Sequence, residues 1–269
     1  MRIKLLVILS LGVILMIFIS SCKKDDKPEE DQNGKLVFNF SHVVNGEDIV
    51  FDTMKYVNAA GNPYLVNEIQ YFISDVTLYK NDGSRIIIDD WKDIWYVDTD
   101  LPDTWHWQMK DDIPEGTYDS ITFRFGISEE KNQSLMFVNP PESNMFWPEY
   151  LGGGYHYLKL NGKWRDLEGE VRPFNFHMGI GQIYDEHDSI VGFIHNDFIV
   201  HLENSGFVME KNKTVVFDVV MGVNEWFEDP HVFDFNYWGG DIMQNQEAMR
   251  TAAENGHNVF SIHRIMEDK

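Results

Sequence analysis

One cysteine stands in the 269 residues, Cys22, and it closes an apolar leader. The rest of the chain therefore has no disulfide framework, and no zinc or haem site built on CxxC or CxxCH. Positive charge is also scarce: 22 Lys and Arg face 44 Asp and Glu, for a formal net charge of −22. That balance argues against nucleic acid and against electrostatic docking on anionic lipid. It favours cations, basic partners or plain solubility. The signatures GxSxG, HExxH, GxGxxG and the P-loop are missing, so the sequence offers no familiar catalytic or nucleotide-binding motif. No internal repeat stands out.

The one long apolar run is at the start. Arg2 and Lys4 precede Leu5 to Ile19, and Ser20-Ser21-Cys22 follows at once. The run is short for a membrane span and reads as a signal peptide over residues 1–21. Small residues before a lone cysteine resemble the bacterial lipoprotein lipobox, which implies acylation of Cys22 as the mature N-terminus. Cleavage there removes Arg2 and Lys4 and leaves the chain more acidic still. The stretch KKDDKPEEDQNG has no apolar residue to bury, so residues 22–34 read as the acylated cysteine and a flexible tether. Lys-Lys-Asp-Asp beside the cysteine resembles the surface-export signal of Bacteroidota lipoproteins. The expectation is an outer-membrane lipoprotein facing the periplasm or the cell surface, with residues 35–269 as a single domain.

Aromatic residues are plentiful: 19 Phe, 11 Tyr and 8 Trp, spread through segments that alternate. In KLVFNFSH, Leu36, Phe38, Phe40 and His42 share a face. EIQYFISDVTLYKNDGSRIIIDD reads as a hairpin turning at Asn81-Asp82-Gly83. Ile121, Phe123, Phe125 and Ile127 share another face. Further strands are expected at Tyr155–Leu160, Val171–Met178, Asp197–Leu202 and Thr214–Met221. Turns are expected at Ile113–Gly116, Asn161-Gly162 and Asn204–Gly206. One helix is expected near the C-terminus, capped by Asp241 and stopped at Asn255-Gly256. The sum is an all-β, immunoglobulin-like β-sandwich with long loops and a short C-terminal helix.

Carboxylate clusters such as Asp89-Asp90 and Asp185-Glu186 sit in turn-like contexts and read as solvated loop charge rather than as a glycosidase pair. The chain is therefore expected not to be an enzyme. The histidines are more informative. His177 ends FNFHMG, on a face with Asn175 and opposite Phe174 and Phe176. His42 ends the first strand behind Phe40. His156 alternates with Leu158 and Leu160, and His106 lies between Trp105 and Trp107. A lone histidine near a strand end is more often hydrogen-bonded or partly exposed than a ligand. Two strand-borne imidazoles brought together would nonetheless form a rigid site, and imidazole with soft sulfur nearby suits copper. The stretch MFWPEYLGGGYHYLKL sets Met145 and Trp147 before Gly152-Gly153-Gly154, where positive φ permits a sharp turn into the next strand.

These pieces together resemble the MbnP-like copper-binding proteins. The resemblance runs through FNFSHVVNGEDIVFDTMKYVNAAGNPY, NEIQYFISDVTLYKNDG, IPEGTYDSITFRFGI, MFWPEYLGGGYHYLKLNG and FNFHMG. It implies a β-sandwich holding copper through histidines, in some members with a tryptophan oxidised to kynurenine by a di-haem cytochrome peroxidase-like partner. Carried over, His177 in the HxG element and His42 near the end of the first strand are the implied ligands, with His156 as an alternate. Trp147 is the candidate for modification, with Trp105 beside His106 as the alternative. Paired cysteines found in some members are absent here, and residues 226–263, including His231, have no assigned role. A second reading is a surface lipoprotein that binds glycan or protein through exposed aromatics such as Trp105, Trp107 and Trp147.

Overall fold

The computed structural model describes residues 33–88 and 94–267, and these belong to one compact unit. The leader, Cys22, most of the tether and Asp89-Asp90 lie outside the described residues. Among the described residues, strands form sheets of six, nine and two. In the first sheet, Asn33–Val44 runs parallel to Thr214–Gly222, which pairs in turn with Phe260–Glu267. The second is antiparallel and follows the order Val171–Met178, Leu158–Arg165, Pro63–Lys80, Gly116–Phe125, Phe198–Leu202.

Period-2 alternation makes these strands and decides which side each residue faces. Leu36, Phe38 and Phe40 are buried in the first strand, and Phe174, Phe176 and Met178 in Val171–Met178. The two large sheets pack through those faces: Phe40 meets Tyr71 at 6.3 Å and Phe123 meets Phe260 at 5.2 Å between ring centroids. Each such edge-to-face pair adds about 0.5–1.5 kcal/mol beyond area burial. The expected all-β sandwich with a short C-terminal helix is what the chain forms.

Several local expectations change. Asn161-Gly162 is not a turn but lies inside strand Leu158–Arg165, where the register against Pro63–Lys80 shifts from Asn161–Glu68 to Gly162–Val66, leaving Asn67 as the extra residue. A Cβ on Gly162 would run into the Leu65 carbonyl and the Phe174 ring, so glycine serves close approach of strands here. The helix is Gln246–Asn255, and its cap is Asn245, whose side chain accepts from the Ala248 N–H, not Asp241. The strand expected at Tyr155–Leu160 runs instead over Leu158–Arg165.

Residues 226–263 acquire a structural role. Val171–Met178 is the outermost strand of its sheet, and the Asn175 N–H donates to the Gly240 carbonyl at 2.5 Å while Asp241 bridges Asn175. An otherwise open strand edge is thereby covered. On the buried face of the same strand, Phe176 packs against Trp226, Phe227 and Phe233, and Phe174 against Phe235. This segment fixes the strand that carries His177.

Candidate metal centre

The Met145–Trp147 stretch and the Gly154–His156 stretch pair with each other. The Trp147 N–H donates to the Gly154 carbonyl at 2.8 Å, the His156 N–H donates to the Met145 carbonyl at 2.7 Å, and Phe146 bridges Tyr155. Between them the chain reverses through Gly152, Gly153 and Gly154 at φ of +123°, +72° and +75°. Only glycine adopts such a run without strain. The turn is held down where Asn132 Oδ1 accepts from the Tyr155 N–H. The triplet thus folds the indole back beside the imidazole. Trp147 and His156 have ring centroids 4.6 Å apart.

His177 completes the cluster, its ring 5.1 Å from that of His156 and nearly perpendicular. Its tautomer follows from its partners. Asn161 Nδ2 donates to Glu68 Oε1 at 2.6 Å, which turns Asn161 Oδ1 toward His177 Nε2 at 2.7 Å. An amide oxygen only accepts, so Nε2 carries the hydrogen. Burial, with Lys159 nearby, lowers the His177 pKa to about 3, so the ring is neutral and Nδ1 holds a lone pair. That Nδ1 is buried and has no hydrogen-bond partner. An unmet buried polar atom costs about 1–3 kcal/mol.

His156 is set by the same logic. Its Nδ1 donates to the Met145 carbonyl at 2.8 Å, leaving the lone pair on Nε2. Burial first, then His177 and Lys159, lower its pKa to about 3. The expectation that it shares a face with Leu158 and Leu160 is overturned by one inserted residue. Leu158 lies opposite Met178, yet the Tyr157 N–H also donates to the Met178 carbonyl. Two residues oppose one, and the extra residue turns His156 to the outer face, where His177 lies.

His42 does not join them. Tyr71 and Leu158 are opposite each other, as are Leu158 and Met178, so these three share the inner face of the nine-stranded sheet. Gln70, Lys159 and His177 are likewise opposite one another and take the outer face. The His42 ring meets Tyr71 at 5.8 Å and Trp105 at 6.5 Å. The sheet therefore stands between His42 and His177, and the two cannot hold one ion. The pair is His156 with His177. His42 is a buried core imidazole whose Nε2 has no partner and whose pKa burial lowers to about 4.

Trp105 packs toward His42, while His106 is exposed and bonds Asn39 through Nδ1. The Trp105–His106 alternative thus does not form a unit. His231 Nε2 pairs with Glu254 at 2.5 Å and its N–H donates to Asn255, a loop-to-helix tie. Trp107 and Trp147 are buried and Trp105 is partly so, so these three do not form an exposed platform for a glycan. Among the described residues, no group of three or more His, Cys, Asp or Glu is placed to hold a metal. Two imidazoles and an indole make up the cluster.

A family model described as MbnP matches residues 33–245. The chain belongs to the MbnP family. The solved structure of MbnP from Methylosinus trichosporium is similar over 85% of this chain and 97% of that one, with a TM-score of 0.53 and 14% identity. At that identity the likeness to this MbnP is one of fold. No curated protein matches the chain. Within the MbnP family match fall all three clustered residues, Trp147, His156 and His177, and also His42.

Proposed function

We propose that this MbnP-family chain is a non-catalytic copper-binding protein of the cell envelope, anchored by an acylated Cys22. The observation that carries the reading is the pair of neutral imidazoles, His177 with Nδ1 free and His156 with Nε2 free, their rings 5.1 Å apart. Such a pair would hold a single metal ion through the two free ring nitrogens. The donor set fits copper. Imidazole nitrogens suit copper among other borderline ions, and the lack of a carboxylate favours the lower charge of Cu(I), while the unmet Nδ1 would gain a partner on binding. Glu68 and Asn161 orient His177 from behind, as acceptors behind ligating imidazoles commonly do.

The metal serves as cargo or as a held ion, and this chain's residues position it and exclude water. Trp147, fully buried against His156, would add a donor if peroxide-driven cleavage of its indole C2–C3 bond, with C2 leaving as formate, converted it to kynurenine, whose ring amine and ketone can ligate. A di-haem peroxidase-like protein would be the oxidising partner. The test is the mass of the Trp147 peptide, with copper content, in protein from the native host. A kynurenine-type mass change together with bound copper is the expected result. Unmodified Trp147 in protein carrying copper through His156 and His177 would remove the kynurenine part and leave the pair.

A further inference from the structure

Lys159 stands beside the histidine pair. It lies opposite His177 on one neighbouring strand and opposite Gln70 on the other, so its side chain leaves the sheet on the face of His177. Its Nζ donates to the Asn144 carbonyl at 2.5 Å. The next carbonyl along, that of Met145, holds His156 Nδ1. The ammonium is thus pinned to the same two-residue stretch that orients one imidazole, and it faces the strand that carries the other. Two carboxylates share this side of the sheet, Glu68 and Asp98, and their partners Asn161, Gln70 and Tyr96 are neutral, so both keep their charge. Burial lowers the Lys159 pKa while Glu68 and Asp98 pull it back up, which favours the ammonium form. The positive charge of Lys159 acts on both rings, lowering the pKa of each.

We infer that Lys159 is a charge filter for the metal site: a fixed positive charge beside two neutral imidazoles admits a monovalent soft cation and disfavours a divalent one. The inference rests on the copper-site reading above. Coulomb repulsion scales linearly with the charge of the ion. Removing the lysine charge therefore strengthens binding of a divalent ion twice as much, in logarithmic terms, as binding of a monovalent one. A tenfold gain for Cu(I) or Ag(I) would accompany a gain of roughly a hundredfold for Zn(II).

The experiment is competition titration of the mature chain with Cu(I), Ag(I) and Zn(II). It compares wild type, Lys159→Gln, Lys159→Met and Lys159→Arg, each also in a His177→Ala background to identify ions at the pair. The two neutral variants should narrow the monovalent-over-divalent preference about tenfold, and Lys159→Arg should keep it. Lys159→Met retains the apolar stem, so agreement between it and Lys159→Gln separates charge from packing. An unchanged preference in both, or a shift in Lys159→Arg as large as theirs, overturns the inference while His177-dependent binding still stands. Wild-type binding indifferent to His177→Ala overturns the site reading and this inference together.

Discussion

Asn161 decides which nitrogen of His177 faces the cluster, because its amide is locked between Glu68 and the Nε2 hydrogen. Asn161→Ala frees that choice. Copper affinity should fall about 10–100-fold, and long-range proton–nitrogen spectra of 15N-labelled apo protein should show the Nδ1-protonated form appearing. Unchanged affinity with an unchanged tautomer would contradict the role given to Asn161. His42 makes a different prediction. Its folded pKa of about 4 lies below the ordinary 6.5, so below pH 6.5 the unfolded chain binds the extra proton. Stability is whole above pH 6.5 and is lost as pH falls toward 4. Denaturant titration should show wild type losing about 2–3 kcal/mol more than His42→Gln between pH 7 and 4.5. Equal losses would contradict it. The separation of the two histidines was legible at this scale. Alternation puts His42 behind Phe40, on the core face, and puts His177 opposite Phe174 and Phe176. The family resemblance pairs the two as ligands, but the alternation already separates them.

At the scale of elements, the paired stretches Met145–Trp147 and Gly154–His156 are the device that makes the cluster. The glycine triplet announced a sharp turn, and the turn is there. What alternation could not reveal is the residue inserted at Tyr157, which opposes Met178 together with Leu158 and reverses the face of His156. This bulge leaves no periodic mark because Tyr157 and Leu158, the two residues that oppose Met178, are both core-type side chains. The strand through Asn161-Gly162 was hidden for another reason, since those two residues also suit a turn. Gly179 closes the element from the far side: a Cβ there would lie 2.6–2.9 Å from three atoms of the Trp147 indole. Because the indole is fully buried and its Nε1–H donates to the Leu151 carbonyl, it has little room to yield. Gly179→Ala should cost about 1–3 kcal/mol in denaturant unfolding. A loss under 0.5 kcal/mol would show that the packing is looser than described.

At the scale of the whole molecule, the sandwich separates two functions that the sequence presents side by side. Its interior takes His42 among Phe40, Tyr71 and Trp105, and its outer face takes the Trp147–His156–His177 cluster. Residues 226–263 were opaque in the sequence because their aromatics have no regular spacing. They clamp strand Val171–Met178 from its edge and its buried face, and that support depends on contacts far apart in the chain.

The central claim is that His156 and His177, and not His42, hold the ion. Cu(I) competition titration of wild type, His156→Ala, His177→Ala and His42→Gln tests it most directly. Tight binding should vanish in the first two variants, with melting temperatures close to wild type, and should persist in His42→Gln. Binding retained in His177→Ala and lost in His42→Gln would contradict the account.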